Sequence, residues 1–395
     1  MAEDAILGQL HVLPPEACPL QNCVGRTLRQ DVFAERDNPP FDRVCMDGIA
    51  ISHSAFERGL RGFRIEASQA AGAPAVTLRD PVNAIEVMTG AMVPLGTDCI
   101  IPLEEYDLEG DVVHLKTQAT ARAFRNIQRR GEDSEPGVAM LASGVRLGAP
   151  EIATAASAGL AHLNVTRQSR VIAISTGDEL IEPGRPILEY QVRRSNAYAI
   201  VAALRERGFS QVSDDHVPDD EGALTQRLLR HLSEQDVLVL SGGISKGKFD
   251  LVPQVLEKIG VQQVFRQVAQ QPGRPLYFGS GPDGQAVFGL PGNPVSTLMC
   301  LVRYVVPALL RQSGAAQAPI QHMPLATPVK VGKASMAYFL PVTVQVDNRG
   351  APSALPAPAN GPGDFLALTR THGFVELPPR SEPFPAGFVA RFYRW

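Results

Sequence analysis

Three loops made of small and polar residues follow apolar runs in the second half of the 395-residue chain. Glycines in such loops free backbone N–H groups to converge on an anion. One loop alone would say little, because many α/β domains contain a glycine-rich turn, but three in one region predict a site for a phosphate-bearing ligand. The loops are Ser175-Thr176-Gly177-Asp178-Glu179, Ser241-Gly242-Gly243-Ile244-Ser245-Lys246-Gly247-Lys248 and Gly289-Leu290-Pro291-Gly292-Asn293-Pro294.

None of these loops contains the Walker pattern G-x-x-x-x-G-K-[ST] or the dinucleotide pattern G-x-G-x-x-G, which disfavours an ordinary NTPase or nicotinamide enzyme. Acidic residues accompany the loops: Asp178 and Glu179 in the first, and Asp250 after the second. Carboxylates beside a phosphate repel it unless a cation lies between them, and Mg²⁺ is the usual partner. The acids therefore predict a magnesium site, with capping of a helix or turn as the alternative for Asp178 and Asp250.

Two further acidic motifs lie earlier in the chain. Cys45-Met46-Asp47-Gly48 places a carboxylate on a turn before a strand, and an ordinary Asp-Gly turn is the alternative explanation. Arg129-Arg130-Gly131-Glu132-Asp133 sets two arginines beside two acids, and a surface ion pair of little energetic value is the alternative. Composition alone does not bring either motif to the glycine-rich loops.

The elements that position the three loops are those of an α/β domain, predicted over 168–316. Short runs that are apolar throughout, at 170–175, 236–240 and 286–290, alternate with helical patterns, which predicts a parallel sheet covered on both faces. Ligands of such a sheet bind at the carboxyl ends of its strands, where all three loops begin. The helices are predicted at 196–207, about 220–235, about 250–259 and from Pro294 to about 311.

The rest of the chain is predicted to form three further domains. Short strands punctuated by glycine and proline indicate a β-rich domain II over 41–136, and 317–395 is a small C-terminal β domain IV. Residues 1–40 and 137–167 form a mixed domain I, in which a proline-led helix runs from Ala149 to Gly159.

Composition excludes several classes of protein. Hydrophobic residues make up 44% and charged residues 20% of the chain, so it is globular rather than disordered. A net charge of -4 makes sequence-independent binding of nucleic acid a poor hypothesis. No apolar run approaches the roughly 20 residues of a membrane span, and the first residues lack a signal-peptide pattern. The five cysteines have no metal-ligand spacing and indicate reduced thiols in the cytoplasm.

Taken together, the motifs resemble the molybdopterin molybdenumtransferase (MoeA) family, which is related to the E domain of gephyrin. Their order and spacing over about 40–300 carry the resemblance, and the C-terminal domain fits more loosely. The matching segments are Pro40-Phe41-Asp42, Met46-Asp47-Gly48, Met88-Thr89-Gly90-Ala91, Arg130-Gly131-Glu132-Asp133, Ser175-Thr176-Gly177-Asp178-Glu179-Leu180, Ser241-Gly242-Gly243-Ile244-Ser245, Pro272-Gly273-Arg274-Pro275 and Gly289-Leu290-Pro291-Gly292-Asn293-Pro294-Val295-Ser296.

The resemblance implies a multidomain α/β plus β fold, with a MogA-like pterin-binding domain III, an elongated domain I and a C-terminal β-barrel. It also implies a reaction: adenylylated molybdopterin and molybdate are the substrates, Mg²⁺ assists hydrolysis of the adenylate, and AMP and molybdenum cofactor are released. Further implications are a homodimer with active sites between subunits, a molybdopterin adenylyltransferase acting upstream, and molybdoenzymes or their chaperones downstream.

Residue roles follow from the same resemblance. It implies four catalytic acids, Asp47, Asp133, Glu179 and Asp250, of which Glu179 and Asp250 would hold Mg²⁺. It implies that further residues bind the pterin, its phosphate or molybdate: Thr89, Arg130, Thr176, Asp178, Gly243, Ser245, Lys246, Lys248, Arg274, Pro291, Asn293 and Pro294.

The chain departs from the family pattern at several positions. Gln271 and Arg274 stand where the family usually has two lysines, so one positive charge is lost and another becomes a planar guanidinium. Gln128 replaces a common basic residue, and Arg194 replaces an aspartate. We hypothesise that Lys246 or Lys248 restores the missing charge, which adenylate hydrolysis by the Lys246→Ala and Lys248→Ala variants would test.

Three other functions remain as alternatives. A diverged, non-catalytic scaffold that binds molybdopterin has no chemical need for four converging acids. A molybdopterin adenylyltransferase would use only the α/β domain and would leave the other domains without a role. A transferase that uses tungstate fits equally well, because tungstate and molybdate share charge and shape.

Overall fold

The computed structural model of the protein describes residues 2–244, 251–316, 319–357, 361 and 363–395. Its strands up to residue 166 are β1 Pro15–Pro19, β2 Val32–Phe33, β3 Arg43–Val44, β4 Gly48–Ile51, β5 Gly62–Gln69, β6 Ala84–Val87, β7 Cys99–Pro102, β8 Tyr106–Glu109, β9 Val112–Leu115, β10 Ile127–Gln128, β11 Ala139–Leu141 and β12 His162–Thr166. The later strands are β13 Val171–Thr176, β14 Leu180–Ile181, β15 Val192–Arg193, β16 Val212–Val217, β17 Val237–Ser241, β18 Gln262–Gln267, β19 Gln270–Gln271, β20 Pro275–Ser280, β21 Ala286–Leu290, β22 His322–Pro324, β23 Ala337–Val346, β24 Pro352–Pro356, β25 Gly373–Leu377 and β26 Val389–Arg394.

The α-helices are α1 Ala2–Leu7, α2 His53–Glu57, α3 Ala149–Ser157, α4 Asn196–Glu206, α5 Glu221–Glu234, α6 Val252–Lys258, α7 Pro294–Cys300, α8 Val306–Gln312 and α9 Phe365–Leu368. Short 3₁₀ turns occupy Leu20–Asn22 and Leu103–Glu105. A π-helical stretch, Leu301–Val305, joins α7 to α8 into one 19-residue helix, Pro294–Gln312.

The chain divides into two compact units, each with its own core. Unit 1 comprises Met1–Gln30, Ser143–Ile152 and His162–Trp395, and unit 2 comprises Asp31–Ala142 and Ala153–Ala161. The four-domain division stays a prediction.

The main sheet of unit 1 has the strand order β16-β13-β17-β21-β20-β18. Its first four strands are parallel, while β20 is antiparallel to both β21 and β18. The three strands predicted from apolar runs, β13, β17 and β21, are parallel as expected, and β20 and β18 extend the sheet with an antiparallel edge. Only five residues connect β20 to β21, which is too few for the crossover that a parallel pair requires.

Helices cover the parallel strands on both faces, and residues of β13 alternate between them. Val171 and Ala173 lie in one core with α4 and the Pro294–Gln312 helix, and Ile172 and Ile174 lie in the other with α5 and α6. Burial on both faces explains why this strand is apolar throughout.

The Pro294–Gln312 helix of unit 1 is both long and apolar. Its mean hydropathy of 1.3 and its length would suffice to cross a membrane, contrary to the expectation that no run approaches that length. However, 67% of its most apolar stretch is buried inside the fold, so it is a core helix of unit 1.

A second sheet of unit 1 has the order β19-β23-β25-β26-β22, with β24 paired to β23. Its residues Phe339 and Phe374, together with Leu368 of α9, belong to the same core as Leu301 and Val305 of the long helix. The two six-stranded sheets of unit 1 thus contribute to one continuous core, and the α/β plus β fold class is confirmed.

Unit 2 is built on a six-stranded sheet with the order β7-β4-β6-β5-β9-β8. Five of its strands match apolar runs that the sequence predicts at 48–51, 63–67, 84–88, 99–102 and 112–115: β4, β5, β6, β7 and β9. Gly48, at the start of β4, is required by close packing, because a Cβ atom there would lie 2.0 Å from the carbonyl oxygen of Ile101. This approach holds the turn that carries Asp47 against the sheet.

Candidate functional site

A cavity of about 500 Å³ opens in unit 1 at the carboxyl ends of β17 and β21. Two of the three predicted loops form part of its wall. The turn that follows β19 and the loop that precedes β23, both in the second sheet, complete it. The lining residues are Gly242, Gly243, Ile244, Gln270, Gln271, Pro272, Gly273, Arg274, Pro275, Pro291, Gly292, Asn293, Ser296, Lys333 and Met336.

The first wall is the Gly242-Gly243 turn after β17. Both glycines have positive φ angles, +101° and +63°. A Cβ atom on Gly243 would lie 2.8 Å from the Thr176 hydroxyl and 2.7 Å from Val252, so only glycine fits this turn. The Thr176 hydroxyl is buried and has no hydrogen-bond partner among the described residues.

The second wall is the turn after β21, which the Pro294–Gln312 helix follows. The Thr297 hydroxyl donates hydrogen bonds to the carbonyl oxygens of Pro291 and Asn293 and so closes the turn. The Asn293 side chain makes no capping hydrogen bond and is free to reach a ligand.

Asn196 joins these two walls. Its side-chain Nδ2 donates hydrogen bonds to Ser241 Oγ and to the carbonyl oxygen of Gly292, both at 2.8 Å. Its Oδ1 atom is buried and has no partner within the described residues. One amide therefore holds the ends of two neighbouring strands in register.

The third wall is the Pro272-Gly273-Arg274 turn, which rests on a buried polar group. Gln270 Nε2 donates to the carbonyl oxygen of Pro272 at 3.3 Å, and the Tyr304 hydroxyl donates to Gln270 Oε1 at 2.5 Å. Burial raises the pKa of Tyr304, so the hydroxyl keeps its proton and can donate. Gly273 packs so closely that a Cβ atom there would meet Cys300 Sγ at 2.7 Å.

The charges on the cavity wall are those of Arg274 and Lys333, and no acidic residue lines it within the described part of the chain. Lys333 and Met336 are site residues that the sequence analysis missed. The resemblance is loose in this region, and no local motif marks them, so only the pairing of β19 with β23 in the second sheet reveals their position.

The two predicted acids that follow β13 are not part of the cavity lining. Asp178 and Glu179 are exposed, and Asp178 Oδ1 accepts a hydrogen bond from the Asp219 N–H at 3.1 Å. The Glu179 carboxylate lies over Gly177, where a Cβ atom would meet it at 2.5 Å. Among the residues that the structure describes, no group of three or more His, Cys, Asp or Glu side chains could hold a metal ion.

Four predicted residues of the second loop lie outside the described residues: Ser245, Lys246, Lys248 and Asp250. The hypothesis that Lys246 or Lys248 replaces the missing charge, and the role of Asp250 in a magnesium site, stay predictions.

In unit 2, Thr89 orients Asp47 by donating hydrogen bonds to its carboxylate. Its Oδ1 accepts hydrogen bonds from the Thr89 N–H at 2.6 Å and from the Thr89 hydroxyl at 2.8 Å. Because both donors favour the ionised form, the pKa of Asp47 lies below its usual value. Asp47 is therefore a charged, oriented group at neutral pH.

Asp133 has a different partner in unit 2. The Gln128 amide donates to both of its carboxylate oxygens, and Gln128 Oε1 accepts a short hydrogen bond from Arg43. Arg130 forms an ion pair with Asp37, and its backbone N–H donates to Asp42 at 2.8 Å. The ion pair that the sequence suggested for Arg130 thus involves Asp37, not its neighbours in the motif.

The structure therefore gathers some predicted residues and separates others. Gly243, Arg274, Pro291 and Asn293 line one cavity of unit 1. Thr176, Asp178, Glu179 and Pro294 stand at the adjoining strand ends and helix start. The remaining predicted residues that the structure describes belong to unit 2: Asp47, Thr89, Arg130 and Asp133.

Arg194, one of the departures from the family pattern, is a buried structural cation. It is 7% exposed and pairs with Glu182 and Asp214, each at 2.8 Å. Glu182 directly follows β14, the short strand that begins after Glu179. In β15, the N–H of Val192 donates to the carbonyl oxygen of Glu179 at 2.9 Å. Arg194 thus ties the segment after Glu179 to the sheet edge at β16.

Comparison with known families gives two matches. Residues 1–159 match the family described as MoeA N-terminal region (domain I and II). Residues 172–311 match the family described as probable molybdopterin binding domain. The second match spans the glycine-rich turns and the long helix behind the cavity.

Individual proteins are similar over most of the chain. The molybdopterin molybdenumtransferase of Synechocystis sp. is 37% identical over 372 residues, which cover 94% of this chain and 93% of that protein. The protein of the same name from Haemophilus influenzae is 32% identical over 75% of this chain and 73% of that protein. The crystal structure of the molybdopterin biosynthesis moeA protein from Pyrococcus horikoshii OT3 superposes with a TM-score of 0.79 at 26% identity, covering 100% of this chain and 98% of that chain.

Proposed function

Because this chain belongs to the molybdopterin molybdenumtransferase family, we propose that it is a transferase of molybdenum cofactor biosynthesis that inserts molybdenum into molybdopterin. Its substrates are adenylylated molybdopterin and molybdate, and its products are AMP and molybdenum cofactor. A molybdopterin adenylyltransferase supplies the first substrate, and molybdoenzymes or their chaperones take up the product.

The observation that carries this proposal is the cavity at the strand ends. It offers two cations, no acid among its described lining residues, and two turns whose backbone a ligand can approach closely. Such a wall suits the phosphate of the pterin and a tetrahedral oxyanion, which are both anionic.

Two carboxylates that follow β13 support the proposal that a divalent cation takes part in the reaction. Glu179 and Asp178 are exposed carboxylates at the end of β13, and such hard oxygen donors suit Mg²⁺, which binds through one or two carboxylates plus substrate phosphates. Glu179, with Asp250, would hold the ion, which when bound neutralises charge on the adenylate phosphate.

The chain's own residues orient the substrates. Asn196 holds the two glycine-rich turns together, and the Gln270–Tyr304 pair holds the Arg274 turn, so that pterin and phosphate meet fixed donors. Asp47 and Asp133, each held by a neighbouring donor, act as acceptors that orient water for attack on the adenylate. In this proposal the protein is a homodimer whose active sites lie between subunits.

The direct experiment is to incubate the purified protein with adenylylated molybdopterin, Mg²⁺ and molybdate, and to measure AMP and molybdenum cofactor. We expect both products, with none in the presence of excess EDTA. A parallel reaction with tungstate separates a molybdate enzyme from a tungstate enzyme. Tight pterin binding without AMP release would contradict the proposal and favour the non-catalytic scaffold.

A further inference from the structure

Two cations share the cavity without a counter-charge. Neither Arg274 nor Lys333 forms a side-chain hydrogen bond or an ion pair within the described residues. Both residues are exposed and line the cavity. Elsewhere in unit 1 the buried arginines are paired: Arg194 with two acids and Arg303 with Glu3 and Glu376. Two unpaired cations facing one cavity therefore call for an anionic ligand.

Strand pairing brings Lys333 to this wall. β19 pairs in parallel with the start of β23, so that Gln270 lies opposite Ala337. The Ala337 N–H also donates to the carbonyl oxygen of Ala269 at 2.9 Å. These bonds hold the loop that precedes β23, with Lys333 and Met336, beside the turn that follows β19 and carries Arg274.

The two cations differ in what they recognise. Arg274 presents a planar fork that suits two oxygens of one anion, whereas the Lys333 ammonium is a compact charge that binds oxygen from any direction. Gln271, which also lines the cavity, contributes no charge. The second positive charge of this wall is therefore the one on Lys333.

We propose that Lys333 and Arg274 bind a tetrahedral oxyanion between them, with Lys333 as the second cation of the site. This deepens the proposed function, on which the identity of the oxyanion as molybdate rests. The shared chemistry, a doubly charged tetrahedron of oxygens, fits two sources: free molybdate and the phosphate of a substrate. Because no acid lines the described wall, the site favours a dianion over a monoanion.

Calorimetric titration of the 395-residue protein tests this proposal with two probes, molybdate alone and AMP alone. The variants are Lys333→Ala, Lys333→Arg and, as matched control, Lys330→Ala. Lys330 is an exposed lysine three residues away that does not line the cavity. Because Lys333 is exposed, we expect each variant to fold, which thermal melting checks.

We expect Lys333→Ala to weaken binding of at least one probe about tenfold, because it removes one charge-assisted contact. Lys333→Arg retains most of the affinity, and Lys330→Ala stays within about twofold of wild type. Loss for molybdate alone assigns the site to the free oxyanion, and loss for AMP alone assigns it to the phosphate. Unchanged binding of both probes in Lys333→Ala, or an equal loss in Lys330→Ala, overturns the proposal.

Turnover separates this inference from the proposed function. If the function holds and Lys333 binds molybdate, Lys333→Ala raises the KM for molybdate with little change in kcat. If the wild-type protein binds the oxyanion through Lys333 but releases no AMP, the proposed function is contradicted and the proposed oxyanion site is supported. If AMP release by the wild-type protein is normal and the affinities of Lys333→Ala for both probes are unchanged, the proposed oxyanion site is contradicted and the proposed function is supported.

Discussion

The side-chain amide of Gln128 donates hydrogen bonds to both carboxylate oxygens of Asp133, each at 3.0 Å. The other end of the same amide is bound by Arg43, so its nitrogen is turned toward the acid. A neutral residue thus orients Asp133 at a position where the family pattern commonly has a cation.

Gln128→Glu should lower AMP release. The new carboxylate would face Asp133 at hydrogen-bond distance, and repulsion between like charges would turn Asp133 away; we expect kcat/KM to fall about tenfold or more. Gln128→Lys is the control, because its ammonium can donate to Asp133. Equal activity of the Glu and Lys variants would show that this contact does not orient the acid.

Thr89→Val should shift the titration of Asp47. The variant keeps the backbone N–H donor but loses the hydroxyl donor, so the pKa of Asp47 should rise toward its usual value. NMR titration of the carboxyl carbon measures this directly, and the acid limb of the activity profile should move to higher pH. Thr89→Ser keeps the hydroxyl and should titrate as the wild type does.

Tyr304→Phe should loosen the Arg274 turn. It leaves Gln270 Oε1 buried without a donor, which costs about 1–2 kcal/mol of unfolding free energy. Because Gln270 also holds the Pro272 carbonyl, we expect a higher KM for the pterin substrate. Tyr277→Phe is the matched control, because this tyrosine is buried and its hydroxyl forms no hydrogen bond within the described residues. Removal of that hydroxyl should change neither the free energy of unfolding nor the KM for the pterin substrate.

Asp236 should make stability depend on acid pH. Burial alone would raise its pKa, but hydrogen bonds from Arg167 and Arg170 outweigh burial and hold the pKa at about 2, below the roughly 3.9 of an unfolded chain. The carboxylate therefore contributes about 2 kcal/mol above pH 4, and this contribution is lost as pH falls from about 4 to 2.

Denaturant unfolding of Asp236→Asn against wild type measures that contribution. We expect the difference at pH 7 to shrink toward zero near pH 2. Glu234→Gln, which removes an exposed ion pair with Arg230, should leave the free energy of unfolding nearly unchanged at any pH. A pH-independent cost for Asp236→Asn would contradict the assignment.

Mixing two inactive variants tests the proposed dimer. Asp133→Asn and Glu179→Gln should each abolish AMP release. If one active site takes Asp133 from one subunit and Glu179 from the other, each mixed dimer has one intact site, so random mixing restores about a quarter of wild-type activity. No recovery in coexpressed mixtures, with mixed dimers confirmed by mass spectrometry, would mean that each site uses one subunit.

The elements that could be predicted from the sequence are those buried on two faces and those bounded by glycine or proline residues that end a helix or strand. β13, β17 and β21 read as continuous apolar runs because helices cover both of their faces. β16 escaped prediction, because an edge strand can carry Asp214 and Asp215, and these acids pair with Arg194 and His231 instead of packing in the core.

The candidate site could be predicted where a glycine or a turn residue has to stand, as at Gly243 and Asn293. Lys333 could not, since nothing near it in sequence distinguishes it from Lys330, and its position depends on pairing between β19 and β23. Long-range register of this kind is not encoded in any short window of residues.

The continuous core of unit 1 has a consequence for synthesis of the chain. The Pro294–Gln312 helix packs against Phe339, Leu368 and Phe374, which leave the ribosome later. At 5 to 20 residues per second, the 62 residues from Gln312 to Phe374 take about 3 to 12 seconds. During that time one face of this long apolar helix has no partner from the second sheet, so the nascent chain exposes apolar surface that the finished fold buries.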